Sequence, residues 1–241
     1  MLDEQVQIAL AGGADGAHTA NSARTPGNLS TASGDSGHLG AYAAWTLGDV
    51  HFDMGGDYGF GSVSIHRSLP QLGLTASGSQ DQETGQVFAD LGYRVSLDGI
   101  GFEPYAGIAH IVATGGAFSE TGSIAALSGN EKSNSTTYTM LGLRANLAEM
   151  DLGSQIALSP RIDLGWQHAL ASFTPYQMVS YTNASTSFLV LGTPLAKDAA
   201  AIQAGFDLKI GPATALFLSY DASFSPTVEN HAFRAGLNWN F

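Results

Sequence analysis

The chain has no cysteine, little charge and no long hydrophobic run. Of its 241 residues only 12% are charged, about half the usual share of a soluble globular domain. A surface so poor in charge needs something other than water over part of it. No stretch of about 18 consecutive apolar residues occurs, so a membrane-crossing helix is excluded, and only a closed β-barrel can carry such a chain through a bilayer. The basic residues are few: nine Lys plus Arg stand against 21 Asp plus Glu, for a net charge of −12. Nine scattered cations cannot build the patches that bind a phosphate backbone, which excludes nucleic acid as a partner. The absence of cysteine suits an oxidising compartment, where stray thiols mispair. Met1-Leu2-Asp3-Glu4-Gln5 has neither a basic nor an apolar leader region, so an export signal is expected upstream of it.

What is present is alternation. Hydrophobic residues make up 44% and glycines number 30, and the apolar positions recur every second residue, the period of a strand with one apolar face. Val6–Gly12 reads as a first strand, and Leu39–Leu47 and Val50–Phe60 as a pair turned at Gly48-Asp49. Thr84–Val95 leads through the hairpin signal Asp98-Gly99 into Phe102–Ile108. Thr137–Ala148 turns near Met150 to Gly153 into Ile156–Trp166, and Ala200–Ile210, Ala213–Phe224 and Asn230–Phe241 close the chain. Between them, Gly13–Gly37, Gly61–Glu83, Gly115–Ser135 and Ala171–Lys197 read as long loops, the last with a partial strand at Ser187–Leu191.

The expected fold class is therefore all-β: an antiparallel up-and-down transmembrane barrel of about ten strands, with long and short connections alternating. Outer-membrane barrels keep short turns on the periplasmic side and longer loops outside. That parity puts the C-terminus in the periplasm.

The final strand is the most specific stretch. Phe233, Ala235, Leu237 and Trp239 fall on one face and Arg234, Gly236, Asn238 and Asn240 on the other, ending on Phe241. This resembles the C-terminal insertion signal of bacterial outer-membrane barrels, with Arg234, Gly236, Trp239 and Phe241 at its defined positions.

Thr84-Gly-Gln-Val-Phe-Ala-Asp-Leu-Gly-Tyr-Arg94, Glu103-Pro-Tyr-Ala-Gly107, Leu141-Gly-Leu-Arg144, Pro160-Arg-Ile-Asp-Leu-Gly-Trp-Gln-His168 and Pro194-Leu-Ala-Lys-Asp198, in that order before this last strand, resemble the translocator barrel of type V secretion autotransporters of Gram-negative bacteria. The resemblance implies a twelve-stranded barrel that anchors and exports an N-terminal passenger. It implies as partners the barrel-assembly machinery, periplasmic chaperones, outer-membrane lipid and lipopolysaccharide, and the passenger segment itself. Residues 1–241 are then expected to be one barrel domain without the family's linker helix and about two leading strands. The alternative function is a passive porin-like channel or an adhesin displayed on the loops. Neither is an enzyme.

Asp90, Arg94, Glu103, Arg144, Arg161 and Asp163 are expected to face the lumen. An ion-pair network filling a narrow polar interior is the simpler account of them, since buried charges need partners. Gly34-Asp35-Ser36-Gly37-His38 resembles the nucleophile loop of chymotrypsin-like proteases, but sequence alone places no base or oxyanion hole around it, and coincidence is the reading adopted. A hydrolase would need a catalytic cluster on the external rim, and the sequence reveals none. The seven histidines lack the paired spacing of metal ligands. No catalytic, cofactor-binding or metal-binding residue and no cofactor is expected.

Overall fold

The computed structural model describes residues 4–22, 29–171, 174–184 and 186–239. Ten antiparallel strands follow one another in space in chain order: β1 (Glu4–Ser22), β2 (Leu29–Leu47), β3 (Val50–Leu69), β4 (Leu74–Tyr93), β5 (Ile100–Gly115), β6 (Lys132–Asn146), β7 (Ile156–Ala169), β8 (Asp198–Ile210), β9 (Thr214–Phe224) and β10 (Glu229–Trp239). Every neighbour in sequence is a neighbour in the sheet, the up-and-down topology that the alternation predicts. Among the described residues no pairing joins β1 to β10, so they form a curled wall.

The curl follows from side-chain convergence. Asp53 on β3 and Arg144 on β6 are three strand spacings apart, roughly 14 Å along a flat sheet. Their charged groups nevertheless lie 3.9 Å apart. Side chains on that face must therefore lean together over a concave surface.

The other face is apolar and bare. Along β3 the outward positions from Val50 to Phe60 include Met54, Tyr58 and Phe60, and along β7 they include Ile162, Leu164 and Trp166, all left exposed. A tilted strand needs about 9–11 residues to cross a bilayer, and Val50–Phe60 matches that length. Outside this band the outward residues of β3 are Ser62, Ser64 and His66. In water this much exposed hydrocarbon is an aggregation hazard; in lipid it is the solvated face.

Turn chemistry fixes the register. Asp98 and Gly99 both adopt positive φ, 48° and 82°, the conformation of the tight hairpin turn that Asp-Gly favours. Between β6 and β7 a second small hairpin forms. Met150–Gly153, read from sequence as turn, pairs back onto the start of β7 around Ser154 and Gln155, both at positive φ. At its base the Glu149 carboxyl lies 2.7 Å from Lys209 Nζ, which holds it below the usual carboxylate range.

Two expected loops are corrected. The described parts of Gly13–Gly37 are paired strand on both sides of residues 23–28, and Gly61–Glu83 is strand except for one turn of 3₁₀ helix at Pro70–Leu72 closed by Gly73. Composition misled because these stretches are rich in Gly, Ser and Thr on both faces. Beyond the bilayer both faces meet water, and the backbone ladder does not require apolar side chains. Among the described residues, two connections at this end are long, between β5 and β6 and between β7 and β8. They pair with each other: Phe118–Ser119, Leu127–Gly129, Tyr176–Tyr181 and Ser187–Leu191 form a separate four-stranded sheet. It is tied to the wall by a backbone bridge between Ser77 and Thr121 and by Glu120, 5% exposed, which accepts hydrogen bonds from Arg67 on β3 and from the Leu127 amide at 2.9 Å.

Candidate functional site

The concave face carries the polar groups, because each strand turns every second side chain inward and β2 to β7 bring theirs to one level. At the centre is Arg144 on β6. Its Nη1 donates to Asp90 Oδ1 on β4 at 2.9 Å and to Glu103 Oε1 on β5 at 2.8 Å. Its Nε lies 3.5 Å from Asp163 Oδ2 on β7, and the guanidinium carbon stands 4.0 Å from the centre of the Tyr105 ring. Tyr105 donates its hydroxyl to Asp163 at 2.9 Å.

On the other side of Glu103, Arg94 donates from Nε to Oε2 at 2.8 Å and approaches His51 Nδ1 at 3.2 Å. His51 Nε2 is 3.0 Å from Asp53 Oδ1, which also accepts from the Tyr42 hydroxyl at 2.6 Å. The chain of contacts thus runs unbroken from β2 to β7. Asp53, Asp90 and Glu103 are all buried, and each is hydrogen-bonded or ion-paired, as a charge removed from water must be.

Glycines make the room. The Tyr105 ring covers Gly142 so closely that no Cβ fits there, and it reaches Gly165 on the next strand. A Cβ on Gly92 would lie 2.7 Å from Glu103 Oε1, and one on Gly55 2.7 Å from the Phe88 ring. Large inward side chains on one strand lie over bare backbone on its neighbour, which keeps the network flat against the wall.

Of the six charges singled out from sequence, Asp90, Arg94, Glu103, Arg144 and Asp163 meet in this network. Arg161 does not; it donates to Asp207 Oδ2 on β8 at 2.8 Å. The sequence reading left out Asp53, His51, Tyr42 and Tyr105 as members. Strand parity alone puts Tyr105 beside Glu103 and Asp53 beside His51, but partners three strands apart follow only from curvature. Two guanidinium groups face four carboxylates here, so with His51 neutral the network carries two negative charges in excess.

The final strand lies at the far edge of the wall. Arg234 Nε is 3.6 Å from Asp221 Oδ2 on β9, and Asp221 also accepts from Gln203 on β8 at 2.7 Å. Gly236 sits under Phe217, and Trp239 is 70% exposed on the outer face. Phe241 lies outside the described residues. Aromatic side chains cluster outward near the other end of the same strands, with Tyr220 donating to or accepting from His231 at 2.7 Å and packing on Phe233 at 5.0 Å between ring centres.

Comparison with known proteins places this wall. Residues 2–221 match the model of the autotransporter β-domain. Two extracellular serine proteases of Serratia marcescens are each 31% identical over 89% and 86% of the chain, and the chain spans only 21% and 20% of their lengths. Among solved structures, the translocator domain of the autotransporter NalP from Neisseria meningitidis superposes over 98% of this chain and 82% of its own, with a TM-score of 0.69 at 20% identity. The β-domain of the Bordetella autotransporter BrkA superposes over the full chain and 96% of its own, with a TM-score of 0.56 at 17% identity. At such identities the structural likeness speaks for the fold.

Proposed function

This chain belongs to the autotransporter β-domain family, whose members are translocators of the bacterial outer membrane, and we propose that it carries an N-terminal passenger segment outward past the Arg144 network. The observation that supports this reading is the division of one wall into a bare apolar outer face and a charge-paired inner face. Such a wall is solvated by lipid on one side and by a polar thread on the other.

The excess of carboxylates over guanidinium groups on the inner face suits a segment bearing Lys or Arg. Such a side chain can exchange with Arg144 or Arg94 for carboxylate oxygens as it passes, without leaving a buried charge unpaired. The protease activity in the names of the Serratia relatives belongs to those much longer chains; the passenger of this protein is a separate matter. Arg234, Gly236, Trp239 and Phe241 serve in this proposal as the signal read by the barrel-assembly machinery, after escort by periplasmic chaperones, with the C-terminus on the periplasmic side. The domain spans residues 1–241, and its outer face meets lipid and, at the aromatic end, lipopolysaccharide.

The test uses Gram-negative cells making the complete protein with an epitope in the segment ahead of this chain. The epitope should be cleaved by protease added to intact cells, and Trp239→Asp should leave it inside. A surface epitope at equal level in both proteins would overturn the insertion signal. Failure of Asp90→Cys to cross-link to the stalled passenger segment would overturn passage along this wall.

A further inference from the structure

A second polar cluster on the inner wall lies beyond the transport site and owes nothing to it. Ser36 and His38 stand two residues apart on β2, so both point to the same face, and the face is the inner one because Tyr42 shares their parity and binds Asp53. Ser36 Oγ lies 3.3 Å from His38 Nε2. On the other side of the ring, His38 Nδ1 lies 3.5 Å from Asp57 Oδ1 on β3. Asp57 pairs with Gly40 and is thus the diagonal neighbour of His38, within reach of a long side chain.

We propose that Ser36, His38 and Asp57 form a serine-hydrolase site that cleaves carboxylic esters with a short apolar acyl group. The order of the atoms is the one this chemistry requires. A carboxylate at Nδ1 keeps the proton on that nitrogen, and Nε2 then presents its lone pair to the serine hydroxyl. Contacts of this kind are commonly loose before substrate binds.

The surroundings provide space and access. A cavity of about 230 Å³ opens beside Ser36 and His38, lined also by Gly34, Gly61, Val63 and Thr84. Its largely apolar, glycine-floored lining fits a short acyl chain. The His38 ring lies over Gly59, where a Cβ would stand 2.8 Å from Nδ1, and a Cβ on Gly61 would stand 2.9 Å from Ser36 Cα. Glycine at 59 thus sets the height of the imidazole. Gln82 and Thr84 on β4 also line the cavity and are the side-chain donors available to a developing oxyanion. His38 and Asp57 side chains are 34% and 36% exposed, so water reaches the site.

In the reaction, Ser36 Oγ bonds to the ester carbonyl carbon as its proton passes to His38 Nε2. The carbon–oxygen bond to the alcohol then breaks, and the alcohol leaves with that proton. Water adds to the acyl-serine, gives a proton to Nε2, and the bond to Oγ breaks, releasing the carboxylic acid and returning the proton to Oγ. Nothing is oxidised or reduced. Asp57 is a positioning residue that stabilises the imidazolium.

The experiment uses the full chain in detergent micelles, folding checked by heat-modifiable mobility, with p-nitrophenyl butyrate as substrate and a fluorophosphonate probe as label. Hydrolysis above background and a covalent adduct located at Ser36 by mass spectrometry are expected. Ser36→Ala should abolish both, and His38→Gln should lower the rate by about 10²-fold or more. Asp57→Asn should lower kcat with little change in KM, because the imidazole loses the carboxylate that orients it. A folded wild-type barrel with no adduct at Ser36, or hydrolysis that persists in Ser36→Ala, would overturn the proposal.

Discussion

Gly236 on β10 lies directly opposite Phe217 on β9, and the Phe217 ring covers the place where a Cβ would stand. Glycine at 236 is thus a packing requirement of the last hairpin. Gly236→Ala forces the ring off the wall at a cost of about 1–3 kcal/mol. Refolding yield in micelles should fall, and Phe217→Ala in the same chain should restore much of it. An additive double mutant would show that the two positions do not interact.

Asp163 and Leu164 are adjacent on β7 and face opposite sides. Asp163→Asn keeps an acceptor for the Tyr105 hydroxyl and should fold nearly as well as the parent. Leu164→Asp places a charge in lipid at a cost on the order of 2 kcal/mol, and the fraction of heat-modifiable barrel should drop. Equal loss in the two variants would contradict the assignment of faces.

Arg144 satisfies Asp90 and Glu103 and lies near Asp53 and Asp163. Arg144→Met removes the cation from the buried Asp90, while Glu103 keeps Arg94, a loss of about 3 kcal/mol that should lower the urea midpoint of the barrel. Arg161→Met should change it far less. The Arg161–Asp207 pair is more than a third exposed on both sides, where an ion pair contributes about 1 kcal/mol or less.

Strand existence and facing were legible within the lipid band, because there one face must be apolar, and Ile156–Trp166 displays that directly. The signal fades where both faces meet water, so the outer halves of β2, β3 and β4 looked like loop. Parity identified Asp90, Glu103, Arg144 and Asp163 as a set, since charges in the middle of apolar strands have only one face to occupy. It could not pair Arg161 with Asp207, or bring Asp57 to His38, because those contacts depend on which strand comes next and at what register.

Glu120 ties the four-stranded sheet to Arg67 on the wall, beside the backbone bridge between Ser77 and Thr121. Glu120→Ala should leave the barrel's heat-modifiable mobility unchanged while exposing the segment between β5 and β6 to protease. Unchanged proteolysis would show that the backbone bridge alone holds the four-stranded sheet.

The account rests on one wall with lipid on one side and water on the other. Because the chain has no cysteine, single nitroxide labels can be placed along β7 from Ile162 to Gln167 in reconstituted outer membrane and read for collisions with oxygen and with a water-soluble nickel chelate. The account predicts a period of two, with oxygen contact highest at Ile162, Leu164 and Trp166 and nickel contact highest at Asp163, Gly165 and Gln167. A flat profile, or nickel contact equal on both faces, would contradict it.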